Sequence, residues 1–329
     1  MDEKDVIIGR LEALVEGQQA QIRALTERIR ELEDEVARLK KNSSNSSKPP
    51  SSDIVKPRPV KARRKRKRKR GGQHGHRKHV RPVFAGEQVD ETGHKDDGRR
   101  RWTWGFRAED FTLFKIDPSR GAQVLQAVLG ETFGGVLGCD YFSAYRKYMA
   151  ESKATVQFCL AHSIREVRFL AEHTDRVLAR RGHKLLERLR RLFATLHRAA
   201  QMTRDGFARA MERIRREFLR QVRRPPNRRE ARTLARRFGT HGDSYFTFLT
   251  TPGVEPTNNL TEQAIRFVVI DRRITQGTRG ERGQRWSERI WTVLASCAQQ
   301  GRSAYQFLAE SVTAHWSNHP APSLLPANL

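Results

Sequence analysis

The sequence predicts an α/β protein: a mixed sheet with helices on its faces, interrupted by a large helical insertion and preceded by a long separate helix. Three observations predict it. Short apolar runs with strand periodicity are confined to residues 88–159. Helical periodicity dense in arginine takes over from residue 163, and an apolar heptad fills residues 8–39 ahead of both. A chain of 329 residues holds two or three units, one of them large enough for a core of its own.

In the heptad, Ile8, Val15, Ile22, Ile29 and Val36 occupy positions a, and Leu11, Gln18, Leu25, Leu32 and Leu39 occupy positions d. β-Branched residues at a with leucine at d favour a parallel two-stranded coil, and one polar residue in the seam, here Gln18, fixes the register. In that register Arg28 meets Glu33 of a second helix and Glu35 meets Lys40, so self-association through residues 8–39 is expected. A lone amphipathic helix folded back on the body is the alternative.

Residues 42–59 switch to Ser, Asn, Pro and Lys, which cannot bury enough apolar surface to offset the entropy of ordering. A connector is expected over 42–79, separating the coil (1–41) from the body. Its second half holds eight consecutive cations, Arg63, Arg64, Lys65, Arg66, Lys67, Arg68, Lys69 and Arg70. A solvated tail is the plain reading of such a run. The whole chain shares its bias, with a formal net charge of +27 and a pI near 11.0, so nucleic acid is the expected partner. A basic-zipper factor is excluded, because prolines at 49, 50, 57 and 59 separate the coil from a basic run that would need to continue its helix.

No window of about 18 apolar residues exists, and the Met-Asp-Glu-Lys start lacks a signal peptide's basic and apolar pattern. A cytoplasmic, nucleoid-associated protein with no membrane partner is expected. Cys139, Cys159 and Cys297 are too few for a disulfide framework or a four-cysteine zinc module, and His74, His76 and His79 have no cysteine partners nearby.

The body reads as strands first and helices later. Asp90, in Gln88-Val-Asp-Glu-Thr92, lies on or beside an opening strand. Strands follow at 101–106 and 111–116, then a short helix at 123–129 and a buried strand at 134–139 that delivers Asp140 at its carboxyl end. A helix from Ser143, a strand at 154–159 and a helix from Ser163 complete the series. This order fits a ribonuclease-H-like arrangement. Trp102 and Trp104 alternate on a strand and read as core. Residues 163–250 form the insertion: Leu185, Leu186, Leu189, Leu192 and Phe193 make its apolar stripe, Arg188, Arg190, Arg191 and Arg198 lie beside or opposite, and Pro225-Pro226 breaks it. Residues 251–315 return to the body and 316–329 form a tail. There Pro256 stops the preceding segment and Thr257 caps a helix carrying Glu262, with Asn258, Asn259, Ile265 and Arg266 three or four residues from it.

In-line displacement at a phosphodiester uses two cations about 4 Å apart, and carboxylates supply the hard oxygen ligands that magnesium prefers. Asp90, Asp140 and Glu262 are the candidate set. Each taken alone could equally be a turn or cap residue, and Glu91 is a local rival to Asp90.

Seven motifs in order carry a resemblance: Asn45-Ser-Ser-Lys-Pro-Pro-Ser-Ser-Asp53, Gly71-Gly-Gln-His-Gly-His76, Val89-Asp-Glu-Thr92, Asp140-Tyr-Phe-Ser-Ala-Tyr145, Cys159-Leu-Ala-His162, Pro256-Thr-Asn-Asn-Leu-Thr-Glu262 and Gln299-Gln-Gly-Arg-Ser303. From residue 43 onward the chain resembles transposases of the bacterial insertion-sequence-sixty-six family. The resemblance implies a ribonuclease-H-like catalytic domain whose Asp, Asp, Glu triad is Asp90, Asp140 and Glu262. Asp90 and Asp140 would share one magnesium ion and Glu262 would hold a second, with manganese as a substitute. It implies strand cleavage at element ends, attack of the freed 3′ hydroxyl on target DNA, and accessory proteins of the same element as further partners. Candidate DNA contacts are Arg63–Arg70, Asn258, Asn259, Arg266, Arg272, Arg273, Arg279 and Arg282. Cys159 and His162 occupy a Cys-x-x-His pair; with no further zinc ligands in sight, His162 reads as a phosphate or orienting contact, or as a packed core histidine.

The chain departs from the family in two places. No cysteine-rich segment follows the basic linker, and His94 stands where a tryptophan is usual. Two other readings are weighed: an inactive transposase-derived DNA-binding protein, and a ribonuclease or Holliday-type nuclease, which leaves the coil and basic linker unexplained.

Overall fold

The computed structural model describes residues 3–39 and 86–325. Five strands form one mixed sheet. β1 (Gly86–Asp96), β2 (Arg99–Arg107) and β3 (Thr112–Asp117) make an antiparallel meander. Asp97 and Gly98 turn β1 into β2 with φ of 48° and 74°, the left-handed pair that a two-residue hairpin of matching twist requires. β4 (Val136–Cys139) runs parallel to β1, and β5 (Thr155–Phe158) parallel to β4, giving the order β3-β2-β1-β4-β5. Between them lie α2 (Ala122–Leu129) and α3 (Ser143–Ser152). The expected elements of this half are all present. β1 is longer than expected, reaching Asp96, and α4 (Leu160–Ala171) begins three residues before Ser163 because extended Cys159 is already its N-cap.

α5 (Arg176–His197), α6 (Arg204–Val222) and α7 (Arg229–His241) then intervene before α8 (Asn259–Thr275), α9 (Gly280–Gln300) and α10 (Ala304–Trp316). Pro225 and Pro226 fall between α6 and α7, as their missing N–H groups dictate. Leu185, Leu186, Leu189 and Leu192 of α5 are buried in one core with Phe218 of α6, Phe238 of α7, and Trp104, Leu137, Tyr145 and Phe158 of the sheet half. A smaller cluster of Phe114, Ile116, Ile265, Val268 and Trp291 joins β3 to α8 and α9. Trp104 is fully buried, and Trp102 is half-buried under the guanidinium groups of Arg100 and Arg120.

Two devices seat the C-terminal helices. Gly105 lets α8 close on the sheet: a Cβ there would lie 3.1 Å from Ile265 Cγ1 and 3.2 Å from Phe114 Cε1. Gly105 is also the β2 partner of Asp90. At the sheet edge, the N–H groups of Thr112, Phe114 and Ile116 donate to Ser296, Thr292 and Glu288 of α9, one acceptor per helical turn. An open edge strand would otherwise offer those donors to another chain.

α1 (Glu3–Leu39) carries the heptad. Val15, Ile22, Leu25, Ile29, Leu32, Val36 and Leu39 are exposed along it, while Ala37 is buried and Asp34 lies 3.7 Å from His173 Nε2. Its carboxyl end therefore rests on the body and its apolar seam does not. Arg28 pairs within the helix with Glu31 at 2.8 Å. Among the described residues, no helix is long and apolar enough to cross a membrane.

Thr292→Val keeps the shape of the α9 contact but leaves the Phe114 N–H unpaired. It is expected to lower unfolding free energy by about 1–3 kcal/mol, measured by urea denaturation.

Candidate active site

The parallel register of β1 and β4 aligns Gly86 with Val136, Glu87 with Leu137 and Gln88 with Gly138. Extended by two residues, it sets Asp90 beside Asp140, which follows the last residue of β4. Asp140 is fixed by the Phe142 N–H, which donates to its Oδ1 at 2.8 Å, and Asp90 by the Glu91 N–H at 3.0 Å. Glu262 comes from the first turn of α8. Asp90 senses the other two acids. Burial pushes Asp90 well above the usual carboxylate range, and the negative charges of Glu91, Asp140 and Glu262 push it further. Asp140 is raised to about 7, by burial first and Glu91 second, against the lowering effects of the Phe142 N–H and Arg120. Asp140 and Glu262 thus lie near enough to Asp90 for their charges to act on it.

Glu91 is otherwise engaged. Adjacent residues on a strand face opposite sides, and Glu91 accepts from Arg120 at 2.6 Å and from the Tyr145 hydroxyl, with its side chain 2 % exposed. Asp90 sits across from Gly105, on the side that α8 covers.

The α8 end is positioned by the strand beside the acids. Gln88 donates to Thr257 O at 2.9 Å, and its carbonyl accepts from the N–H and hydroxyl of Thr261. Asn258 Nδ2 donates to Val89 O at 2.8 Å, and the Asn258 N–H donates to Cys159 Sγ at 3.2 Å. Two expectations change. Thr257 does not cap α8: Asn258 is the N-cap, no side chain closes it, and Gln88 takes over the anchoring. Asn258 is 1 % exposed and its Nδ2 donates to β1, so it is buried as a positioning residue and not on the surface where DNA would meet it.

Glu262 lies 3.4 Å from Arg165 Nη2 and 3.7 Å from His162 Nδ1. His162 therefore stands against the third acid as an orienting neighbour. Burial, with help from Arg165 and Arg237, lowers its pKa to about 4, so the ring is neutral near pH 7. The Glu262 Oε1 and His162 Nδ1 atoms are buried without a hydrogen-bond partner. The donor atoms of Cys159, His162 and Glu262 lie within 4.8 Å of one another. Burial raises the Cys159 thiol to about 11.

Cations that the sequence did not single out surround these acids. Arg237 and Arg146 stand over the Tyr141 ring, next to Asp140, at 4.4 and 4.6 Å from its centroid, and Arg237 also pairs with Glu166. Arg165 lies one turn beyond His162 on α4 and was legible as its neighbour; Arg237, some 70 residues further on, carried no signal in a segment crowded with arginine. Of the predicted DNA contacts, Arg266, Arg273, Arg279 and Arg282 are exposed and Asn259 is half-buried at the start of α8. Arg272 is half-buried, donates to Thr92 Oγ1 at 3.0 Å, and lines a cleft of ≈ 470 Å³ with Lys95, Arg100 and Arg273. The run Arg63–Arg70 lies outside the described residues.

Residues 87–285, more than half of the chain and all three acids among them, match the model of the Transposase IS66 family. The chain belongs to that family. Residues 2–82 of this IS66-family chain match a second model, a family of unknown function (DUF6444). No curated protein and no solved structure matches it.

The raised pKa of Asp140 has a definite sign. A folded value of about 7, above the ordinary 3.8, means stability that is full at acid pH and is lost as pH rises through 7. Asp140→Asn removes that loss. In the family member without divalent cations at pH 8, the variant is expected to melt several degrees above wild type, at roughly 2–4 °C per kcal/mol, and the two should converge near pH 4. Differential scanning calorimetry at the two pH values checks this.

Proposed function

We propose that this chain is an Asp-Asp-Glu transposase with a ribonuclease-H-like catalytic core, which cleaves DNA strands at the ends of its element and transfers them into target DNA. The observation that carries the reading is the placement of Asp140 and Glu262 around Asp90, whose ionisation burial and the charges of Glu91, Asp140 and Glu262 oppose, while burial and Glu91 raise Asp140 to about 7. An all-oxygen donor set under such repulsion suits hard divalent cations, whose binding relieves it. Magnesium, or manganese in its place, would be held jointly by Asp90 and Asp140 on one side and by Glu262 on the other, and would supply activation of the attacking oxygen and stabilisation of the leaving oxygen.

The chain's own residues do the rest. β1 and β4 hold two acids at adjoining strand positions, and α8 holds the third across from them. Arg165 keeps Glu262 in place. Arg146 and Arg237, stacked on Tyr141 beside Asp140, and the exposed arginines of α8 and α9 offer sites for the phosphates of the scissile strand and its flanks. Water attacks the phosphodiester at the element end and releases a 3′ hydroxyl, which then attacks a phosphodiester of the target. Geometry and charge stabilisation carry both steps, with no protein nucleophile. The net charge of +27 supports DNA as the partner. The exposed seam of α1 supports pairing of two copies, so that two active sites meet two ends.

Glu262→Gln tests the chemistry. Magnesium-dependent cleavage of element-end DNA is expected to fall by more than about a hundredfold, the equivalent of several kcal/mol, while DNA binding is retained. Equal cleavage by mutant and wild type would sink the assignment of the third acid. No cleavage by wild type on its own ends would favour the DNA-binding relic.

Self-association has its own test. By sedimentation equilibrium, the full chain is expected to be dimeric and the double variant Ile22→Lys, Ile29→Lys monomeric.

A further inference from the structure

We propose that Cys159, His162 and Glu262 form a second metal site, selective for a soft divalent cation such as zinc. The pairing of Cys159 with His162 lacks further ligands in the sequence, and the tertiary structure supplies one. Cys159 is the N-cap of α4, His162 is the third residue of that helix, and α8 delivers Glu262 to the same point. Their donor atoms fall within 4.8 Å of one another. The 3.7 Å between His162 Nδ1 and Glu262 Oε1 is close to the edge of a tetrahedron around zinc, about 3.4 Å for ligands at about 2.1 Å.

Two of the three donors are orphans. His162 Nδ1 and Glu262 Oε1 face each other, buried and without a hydrogen bond, an unfavourable condition that one cation would end for both. The third donor is placed differently. The Asn258 N–H points at Cys159 Sγ from 3.2 Å, and Asn258 is itself fixed on Val89 O; burial raises the thiol to about 11, this backbone donor opposes the rise, and a bound cation would supply the charge that completes the thiolate. Thiolate, imidazole and carboxylate make a soft, mixed set, unlike the all-oxygen set of Asp90 and Asp140. Three protein ligands leave a fourth position for water.

Binding has stated consequences. The Cys159 proton is released, the His162 proton moves to Nε2, and the Arg165 contacts at 3.4 Å to His162 Nε2 and to Glu262 Oε2 loosen. Glu262 is common to this set and to the proposed catalytic set, so zinc bound here takes a ligand from the magnesium chemistry. That last consequence rests on the transposase reading; the site itself does not, and its test uses no DNA.

The full-length chain, stripped of metal, is titrated with cobalt(II). A thiolate-to-cobalt charge-transfer band in the near ultraviolet is expected at one equivalent, bleached by zinc. Cys159→Ser should abolish it. His162→Ala and Glu262→Gln should each weaken cobalt binding by more than about tenfold, the loss seen even for outer partners of metal ligands, with circular dichroism unchanged. Absence of the band in wild type overturns the site. So does a band that survives Cys159→Ser, which would belong to Cys139 or Cys297, or cobalt affinity unchanged in Glu262→Gln. Cobalt on the histidines of residues 74–79 gives no thiolate band and is not counted.

Discussion

The pairing of β1 with both β2 and β4 is the constraint on which the rest of the structure depends. Its parallel side pairs Gln88 with Gly138, two residues before Asp90 on one strand and two before Asp140 on the other. Its antiparallel side sets Asp90 opposite Gly105, the residue whose missing side chain lets Ile265 and the rest of α8 lie close to the sheet. Its interior polar residue, Gln88, bonds the start of α8, and its backbone at Val89 receives Asn258. A single strand thus carries one acid and holds the elements that carry the other two. A one-residue slip would turn Asp90 to the face now occupied by Glu91, where Arg120 and Tyr145 wait.

The electrostatics follow from that geometry. In a chain of net charge +27, burial and neighbouring carboxylates drive Asp90 and Asp140 above their ordinary ionisation range: Glu91, Asp140 and Glu262 act on Asp90, and Glu91 on Asp140. Local burial and like charge outweigh the positive charge of the whole, because the arginines of the body lie mainly on its surface, screened by water, while the acids repel at short range. One residue away burial raises Glu91 as well, but a guanidinium and a hydroxyl on its carboxylate oppose the rise. The contrast separates a structural acid from acids left short of partners.

The helices between β5 and α8 also reach into the site. α4 supplies Cys159, His162 and Arg165 at its first turns, and α7 supplies Arg237, whose pairing with Glu166 of α4 and stacking on Tyr141 link it to the residue after Asp140. The apolar stripe of α5, shared with Phe218 and Phe238, holds this helical block to the same core as the sheet. The edge of that sheet is closed from the other end of the chain by three side chains of α9.

The sequence by itself determined the element types and the order of strands and helices, because periodicity and proline breaks are local properties. Asp140 could be read as the end of a buried strand, and Glu262 as the first turn of a helix behind Pro256. It did not determine which of Asp90 and Glu91 faces α8, that Asn258 is buried as a positioning residue, or that Gln88 rather than Thr257 secures the helix start. Those depend on register and on contacts between residues some 170 apart in the chain. The gathering of Cys159, His162 and Glu262 was invisible for the same reason: the third donor lies a hundred residues from the first, and only the packing of α8 against α4 and β1 brings it there.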